Sequence, residues 1–220
     1  MKRDMISEEG VVLHARDGRE GGKILTLFTK RKGKMNVFLP RAVMNRCGMG
    51  LTAPFSYLCF TIRPMTDYAV MSQYEGTLLF DMMKCTYEEM TCWYYLIELT
   101  EKCFPEGDGD ERAYRILLDA GREGRTRNPL TVSFVAAVKM ISAAGFDCTS
   151  KEAAEDYRLS EDARKLLYDF REYDWKVKWK GNISKEVFLK AASYLDDFIE
   201  RECDISMNTK GTFLRYVNGA

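Results

Sequence analysis

The stretch KILTLFTKRKGKMNVFL, residues 23–39, reads as a β-hairpin. Two apolar runs of strand length, KILTLFTK (23–30) and MNVFL (35–39), flank a tip made of Lys30, Arg31, Lys32, Gly33 and Lys34. Successive side chains of a strand point to opposite faces. Met35, Val37 and Leu39 therefore share the face that becomes core, and Lys34, Asn36 and Phe38 share the other. An outward aromatic ring beside several cations suits a single-strand nucleic-acid groove, because the cations neutralise phosphates and the ring offers a base a stacking surface. The plainer alternative is a solvated turn.

Three more runs have strand character: GVVLHA (10–15), YLCFTI (57–62) and VMSQYEGTLL (70–79). Glycine and proline sit between the runs, at Gly18, Gly21, Gly22, Gly33, Gly48, Gly50 and Pro64. Five short strands at close spacing predict a small antiparallel barrel over residues 1–80. Beyond residue 80 the period becomes helical. TYEEMTCWYYLIELTEKCF (86–104) has Met90, Trp93, Tyr94 and Ile97 at helical spacing, and PEGDGDE (105–111) breaks it. ERAYRILLDAGR (111–122) and NPLTVSFVAAVKMISAAG (128–145) follow, the latter apolar nearly all round and so the expected centre of a bundle. Two amphipathic helices are expected after it, beginning near Ser160 and Ser184, whose hydroxyls suit helix N-caps. The expected fold class is α+β, a five-stranded barrel (1–80) followed by a helical domain (81–220).

The chain has no net charge, yet residues 1–80 hold 12 Lys/Arg against 7 Asp/Glu, and the remaining 140 hold 21 against 26. A basic front and an acidic back point to two jobs. Together with Arg41 and Arg46 downstream of the hairpin, the basic front favours the nucleic-acid reading of the tip over the solvated turn. Hydrophobic content of 46% and the absence of an apolar run near the roughly 18 residues needed to cross a bilayer exclude a helical membrane protein. The N-terminal MKRDM lacks the apolar core of a signal peptide, so the expected location is the cytoplasm.

Catalytic signatures are scarce. The lone His14 closes an apolar strand and is expected to be structural. Glu88/Glu89 and Asp196/Asp197 lie on helices with basic neighbours and are expected to be solvated. DGREGG (17–22) lacks the lysine–hydroxyl ending of a phosphate loop. Seven cysteines include no CxxC pair, so neither a disulfide framework nor a zinc site of usual spacing is expected. Trp93, Tyr94 and Tyr95 are expected in the core, with one member left for a partner groove. In YDWKVKWKG (173–181), Trp175 and Trp179 alternate with Lys176, Lys178 and Lys180, which suits either an auxiliary contact or two packed indoles between wet lysines, the second being favoured.

The order of these features resembles the RecO family of bacterial recombination mediators. Gly10-Val11-Val12-Leu13 before Arg16 is similar to the family's opening strand, and Glu20 to Thr29 with Gly33-Lys34 resembles its hairpin. A basic loop and then Leu51-Thr52-Ala53-Pro54-Phe55-Ser56-Tyr57-Leu58 follow, and SFVAAVKMISAAGF (133–146) looks like a family helix. There are two departures. Gly22 stands where the family has aspartate, and the four zinc-binding cysteines that many members carry are reduced to Cys148, followed by Thr149, Ser150 and Lys151.

The resemblance implies an N-terminal OB-fold that binds single- and double-stranded DNA. It also implies a helical domain that docks the C-terminal tail of single-stranded DNA-binding protein, and complex formation with RecR. The expected protein is therefore a non-enzymatic repair mediator of the nucleoid. It anneals complementary strands and helps load RecA, with no cofactor and no metal. Its nucleic-acid-binding residues are Lys23, Lys30, Arg31, Lys32, Lys34, Phe38, Arg41 and Arg46. The rival expectations are an RNA-binding OB protein and a helical interaction adaptor whose basic front is merely soluble.

Overall fold

In the computed structural model, which describes residues 5–47, 49–66, 68–179 and 182–219, the hairpin forms as expected. β1 spans Ile6–Asp17; β2 (Lys23–Thr29) and β3 (Gly33–Leu39) pair antiparallel from Lys23↔Leu39 to Thr29↔Gly33. Lys30, Arg31 and Lys32 make the turn. The Thr29 hydroxyl ties it, donating to the Gly33 carbonyl (2.9 Å) and accepting the Lys32 N–H (3.1 Å). Gly33 has φ +58°, a left-handed conformation that glycine adopts without the steric cost of a side chain.

β4 (Ser56–Pro64) and β5 (Ala69–Leu78) complete a closed barrel in the order β1-β2-β3-β5-β4. The long β1 serves two neighbours: residues 10–17 pair with β2 and residues 6–11 with β4, with an irregularity between Val12 and His14. Such a break increases local twist and lets one strand bend around a barrel. β3 meets β5 through Val37↔Ala69 and Phe38↔Val70, and this pairing is parallel, a departure from the antiparallel barrel expected. Alternation fills the interior with Val12, Leu25, Leu27, Val37, Leu39, Leu58, Phe60, Ile62, Met71 and Tyr74.

The segment expected to be a basic loop is instead a helix, α1 (Arg41–Cys47), which seats Val43 and Met44 in the barrel core. Its seven residues are too few to show a helical period in the sequence, and the Pro40 carbonyl starts it by accepting the N–H groups of Val43 and Met44.

The remaining helices are α2 (Tyr87–Cys103), α3 (Glu111–Glu123), α4 (Pro129–Ala143), α5 (Lys151–Asp156), α6 (Glu161–Glu172), α7 (Lys185–Arg201) and α8 (Thr212–Gly219). Contacts divide the chain into two compact units: Met1–Lys84 with Phe104–Arg125, and Cys85–Cys103 with Thr126–Ala220. α3, which the sequence reading placed in the helical part, thus groups with the barrel.

In the helical unit α4 is buried on nearly every face, as its composition requires. Phe134 stands at the centre, its ring 5.8 Å from Phe170 of α6, 4.8 Å from Phe188 of α7 and 5.0 Å from Phe213 of α8. Ser160 and Ser184 cap α6 and α7 as expected, accepting the N–H groups of Ala163 and Val187. Trp93 and Tyr95 are buried and Tyr94 is exposed.

Asp196 corrects the expectation of a solvated face. It is 4% exposed, accepting the Tyr95 hydroxyl (2.8 Å) and the Gly211 N–H (2.7 Å). Those partners lie 101 and 15 residues away, so no local pattern reveals them.

Glu98 of α2 pins the turn before α8. It accepts from the Asn208 N–H (2.8 Å) and from the Thr209 N–H (2.9 Å) and hydroxyl (2.7 Å), and it pairs with Lys102 at 2.9 Å. Burial works to raise its pKa, but the bonds from Thr209, Asn208 and Lys102 outweigh it and hold the carboxyl at about 2, against an ordinary 4.5. A folded-state pKa below the unfolded one gives stability that is present above pH 4.5 and lost as pH falls from 4.5 to about 2. Acid titration of the helical signal is expected to show that loss, and Glu98→Gln to flatten it. An unchanged acid profile in that variant would remove Glu98 from the account.

Candidate nucleic-acid interface

Seven of the eight expected binding residues fall into two groups at opposite ends of the hairpin. Six strand steps separate Lys23 from Thr29, about 20 Å of extended chain. Lys30, Arg31, Lys32 and Lys34 lie at the tip. At the other end Lys23 and Phe38 meet the β1–β2 turn, where Arg41 lies over Gly21, its Cδ 3.2 Å from where a Cβ would stand. Phe38 faces outward but is half-buried, its ring against Gly18 and Gly22. Arg46 is exposed in the last turn of α1, with Nε donating to the Ala42 carbonyl at 3.3 Å.

Three of these seven cations have carboxylate partners within the barrel. Lys23 pairs with Asp17 (3.2 Å), Lys30 with Glu9 (3.0 Å) and Arg31 with Glu8 (3.3 Å). Arg31 also donates to the Ser7 carbonyl. Hydrogen bonds from the Tyr57 hydroxyl and then from Lys30 hold Glu9 below the usual carboxylate range. Lys32 has no ion-pair partner among the described residues, and only its backbone N–H is engaged in the turn.

Residues 104–110, taken in the sequence only as a helix breaker, lie along the tip. The Phe104 ring packs edge-on against Phe28 of β2 at 5.5 Å. Glu106 bridges to Gly33 and Lys34, and the Gly107 N–H donates to the Lys34 carbonyl at 3.1 Å. Asn36 on the outer face of β3 donates to the Glu106 carboxylate at 2.7 Å. A Cβ on Gly33 would stand 1.9 Å from the Asp108 carbonyl oxygen, so the close approach requires glycine there. The opposite charges of KRKGK (30–34) and EGDGDE (106–111) were the signal available in the sequence.

α3 adds two arginines that the sequence reading did not include. With Glu9, Lys30, Tyr57 and Tyr114, Arg115 and Arg122 line a cleft of about 230 Å³. The Tyr114 hydroxyl in this cleft is buried and has no hydrogen-bond partner. Residues 1–84 carry 13 Lys/Arg against 8 Asp/Glu, and residues 104–125 carry 4 against 6, so the barrel unit has a net charge of +3.

The zinc that the RecO resemblance implies for many members does not fit the residues present. Among the described residues no group of three or more His, Cys, Asp or Glu is placed to hold a metal ion. Cys148 is buried, and burial pushes its thiol up to about 12, away from the thiolate a metal needs. Polar contacts brace this corner: Arg171 donates to Asp147 (2.8 Å) and Thr149 (2.7 Å), and the Tyr194 hydroxyl to the Cys148 carbonyl (2.9 Å). Elemental analysis of protein purified without added metal is expected to find no stoichiometric zinc. A one-to-one zinc content would overturn that.

In the 173–179 stretch Trp175 and Trp179 pack on Tyr173, with ring centroids 5.4 and 5.6 Å away, while Lys176 and Lys178 are exposed. This is the packed arrangement favoured above. Lys180 and Gly181 lie outside the described residues.

The closed β1-β2-β3-β5-β4 topology defines the class: a five-stranded OB-fold barrel followed by a helical unit. Residues 1–80 match the family model described as recombination protein O N terminal. Similar curated proteins are named DNA repair protein RecO. That of Pelotomaculum thermopropionicum is 32% identical over 116 residues, covering 52% of this chain and 45% of that protein. The Bacillus pumilus protein is 29% identical over 148 residues (64% and 56%), and that of Alkaliphilus metalliredigens 28% over 114 residues (51% and 46%). The chain thus spans about half the length of the curated relatives it matches. The RecO resemblance read from the sequence is borne out.

Proposed function

We propose that this chain acts in DNA repair and recombination as a mediator of the RecO type. It binds single- and double-stranded DNA through the barrel, anneals complementary strands and helps load RecA, and it makes or breaks no covalent bond. The observation that supports this most is an OB barrel over the residues that match the recombination protein O model, with a cation-rich β2–β3 tip. The names of the relatives support the repair role. The partners are RecR and the C-terminal tail of single-stranded DNA-binding protein, with the helical unit as the protein-docking part. The place of action is the cytoplasm at the nucleoid; no helix among the described residues is long and apolar enough to cross a membrane.

One observation favours the adaptor reading: two of the four tip cations, Lys30 and Arg31, are paired by the chain's own carboxylates. Titration of labelled single-stranded DNA, duplex DNA and RNA at two salt concentrations separates the readings. DNA binding that weakens steeply with salt is expected. Preference for RNA would favour the RNA-binding reading, and no binding to any of them the adaptor.

A further inference from the structure

We propose that residues 105–110 form an autoinhibitory strap, an acidic segment that lies along the hairpin tip where a nucleic-acid backbone would run and is displaced when nucleic acid binds. The proposal rests on the assignment of the tip as a nucleic-acid interface. The strap is the PEGDGD segment, and it touches the tip from three positions. Glu106 bridges Gly33 and Lys34 and accepts from Asn36 at 2.7 Å. The Gly107 N–H reaches the Lys34 carbonyl at 3.1 Å. A Cβ on Gly109 would lie 2.5 Å from the Arg31 carbonyl oxygen.

The segment is built to lift. Its ends are anchored by buried Phe104 and by Asp110, whose side chain caps α3 by accepting the Ala113 N–H. Between those anchors, residues 105–109 are all exposed and bury no apolar side chain. Gly107, at φ +83°, supplies a hinge. Displacement therefore costs a few solvent-accessible hydrogen bonds and no core contact, the signature of a segment that opens locally. The Glu106 carboxylate takes the Asn36 amide, and the strap brings its negative charge alongside Lys34, where a phosphate would draw on the same cation. Asn36, whose amide donates to Glu106, stands on the outer face of β3 between Lys34 and Phe38, where an incoming strand would pass.

The test compares the full chain with Glu106→Gln plus Asp108→Asn and with Lys32→Glu plus Lys34→Glu, each titrated with a labelled oligothymidylate at low and moderate salt. The strap variant keeps an acceptor for Asn36 and is expected to bind on the order of fivefold tighter at low salt, with a steeper salt dependence. Equal or weaker binding by the strap variant overturns the strap. If the tip variant still binds more weakly in that case, the interface stands without it; if the tip variant is unchanged as well, both fall. Hydrogen exchange on the unmutated chain is an independent measure. Bound oligothymidylate is expected to speed exchange at the Gly107 amide, and unchanged or slower exchange there overturns the proposal.

Discussion

A chain carrying Lys32→Glu and Lys34→Glu is expected to bind single-stranded DNA roughly 25-fold more weakly at 0.1 M salt. The logarithm of affinity falls by about 0.7 per phosphate contact for each decade of salt, so at 0.1 M, one decade below the 1 M reference at which the counterion contribution vanishes, two lost contacts remove about 1.4 logarithmic units. On duplex DNA the loss is somewhat larger, because the slope per contact is about 0.9. The weakening should be equal on every sequence, since phosphate contacts position nucleic acid without reading it. The salt dependence should flatten by the same two contacts. Thermal stability should move by only about half a kcal/mol, because the tip buries no core side chain. Unchanged affinity together with an unchanged salt slope would return the tip to a solvated turn.

Phe134→Ala is expected to destabilise the helical unit by about 3–5 kcal/mol. Phe134 is fully buried and packs against three aromatic rings from three helices, so its removal leaves a cavity that no single neighbour can fill. Unfolding should be followed by a signal from each unit separately, because a chain of two compact units need not melt in one step. The helical transition should move to much lower denaturant, and the barrel transition should move far less. A shift below about 1 kcal/mol in the helical transition would contradict the central position of Phe134.

Much of this architecture is legible from local pattern. The five strands and α2, α3, α4, α6 and α7 fall close to where alternation and helical period place them. Ser160 and Ser184 cap as their chemistry demands, because an N-cap bond is made within three residues. The elements that escaped are short. α1, α5 and α8 have seven, six and eight residues, two turns or so, and show little period. α8 holds its place through Phe213, whose ring meets Tyr95 at 4.6 Å and Phe134 at 5.0 Å, and the sequence does not announce that partnership.

The candidate interface divides along the same line. The sequence by itself determined that a hairpin exists, that Lys30, Arg31, Lys32 and Lys34 cluster at its tip, and that Lys34, Asn36 and Phe38 share its outer face, because each depends on neighbours within one strand or turn. Tertiary structure alone decided which charges those cations meet. Glu8 and Glu9 reach the tip because β1 pairs with β2, and Glu106 meets Asn36 across 70 residues of chain because residues 104–125 fold onto the barrel. Electrostatic energy depends on separation in space and on exposure to water, not on separation along the chain. A residue count therefore yields a basic front of +5, whereas the folded barrel unit carries +3 and lays an acidic segment along its own basic tip.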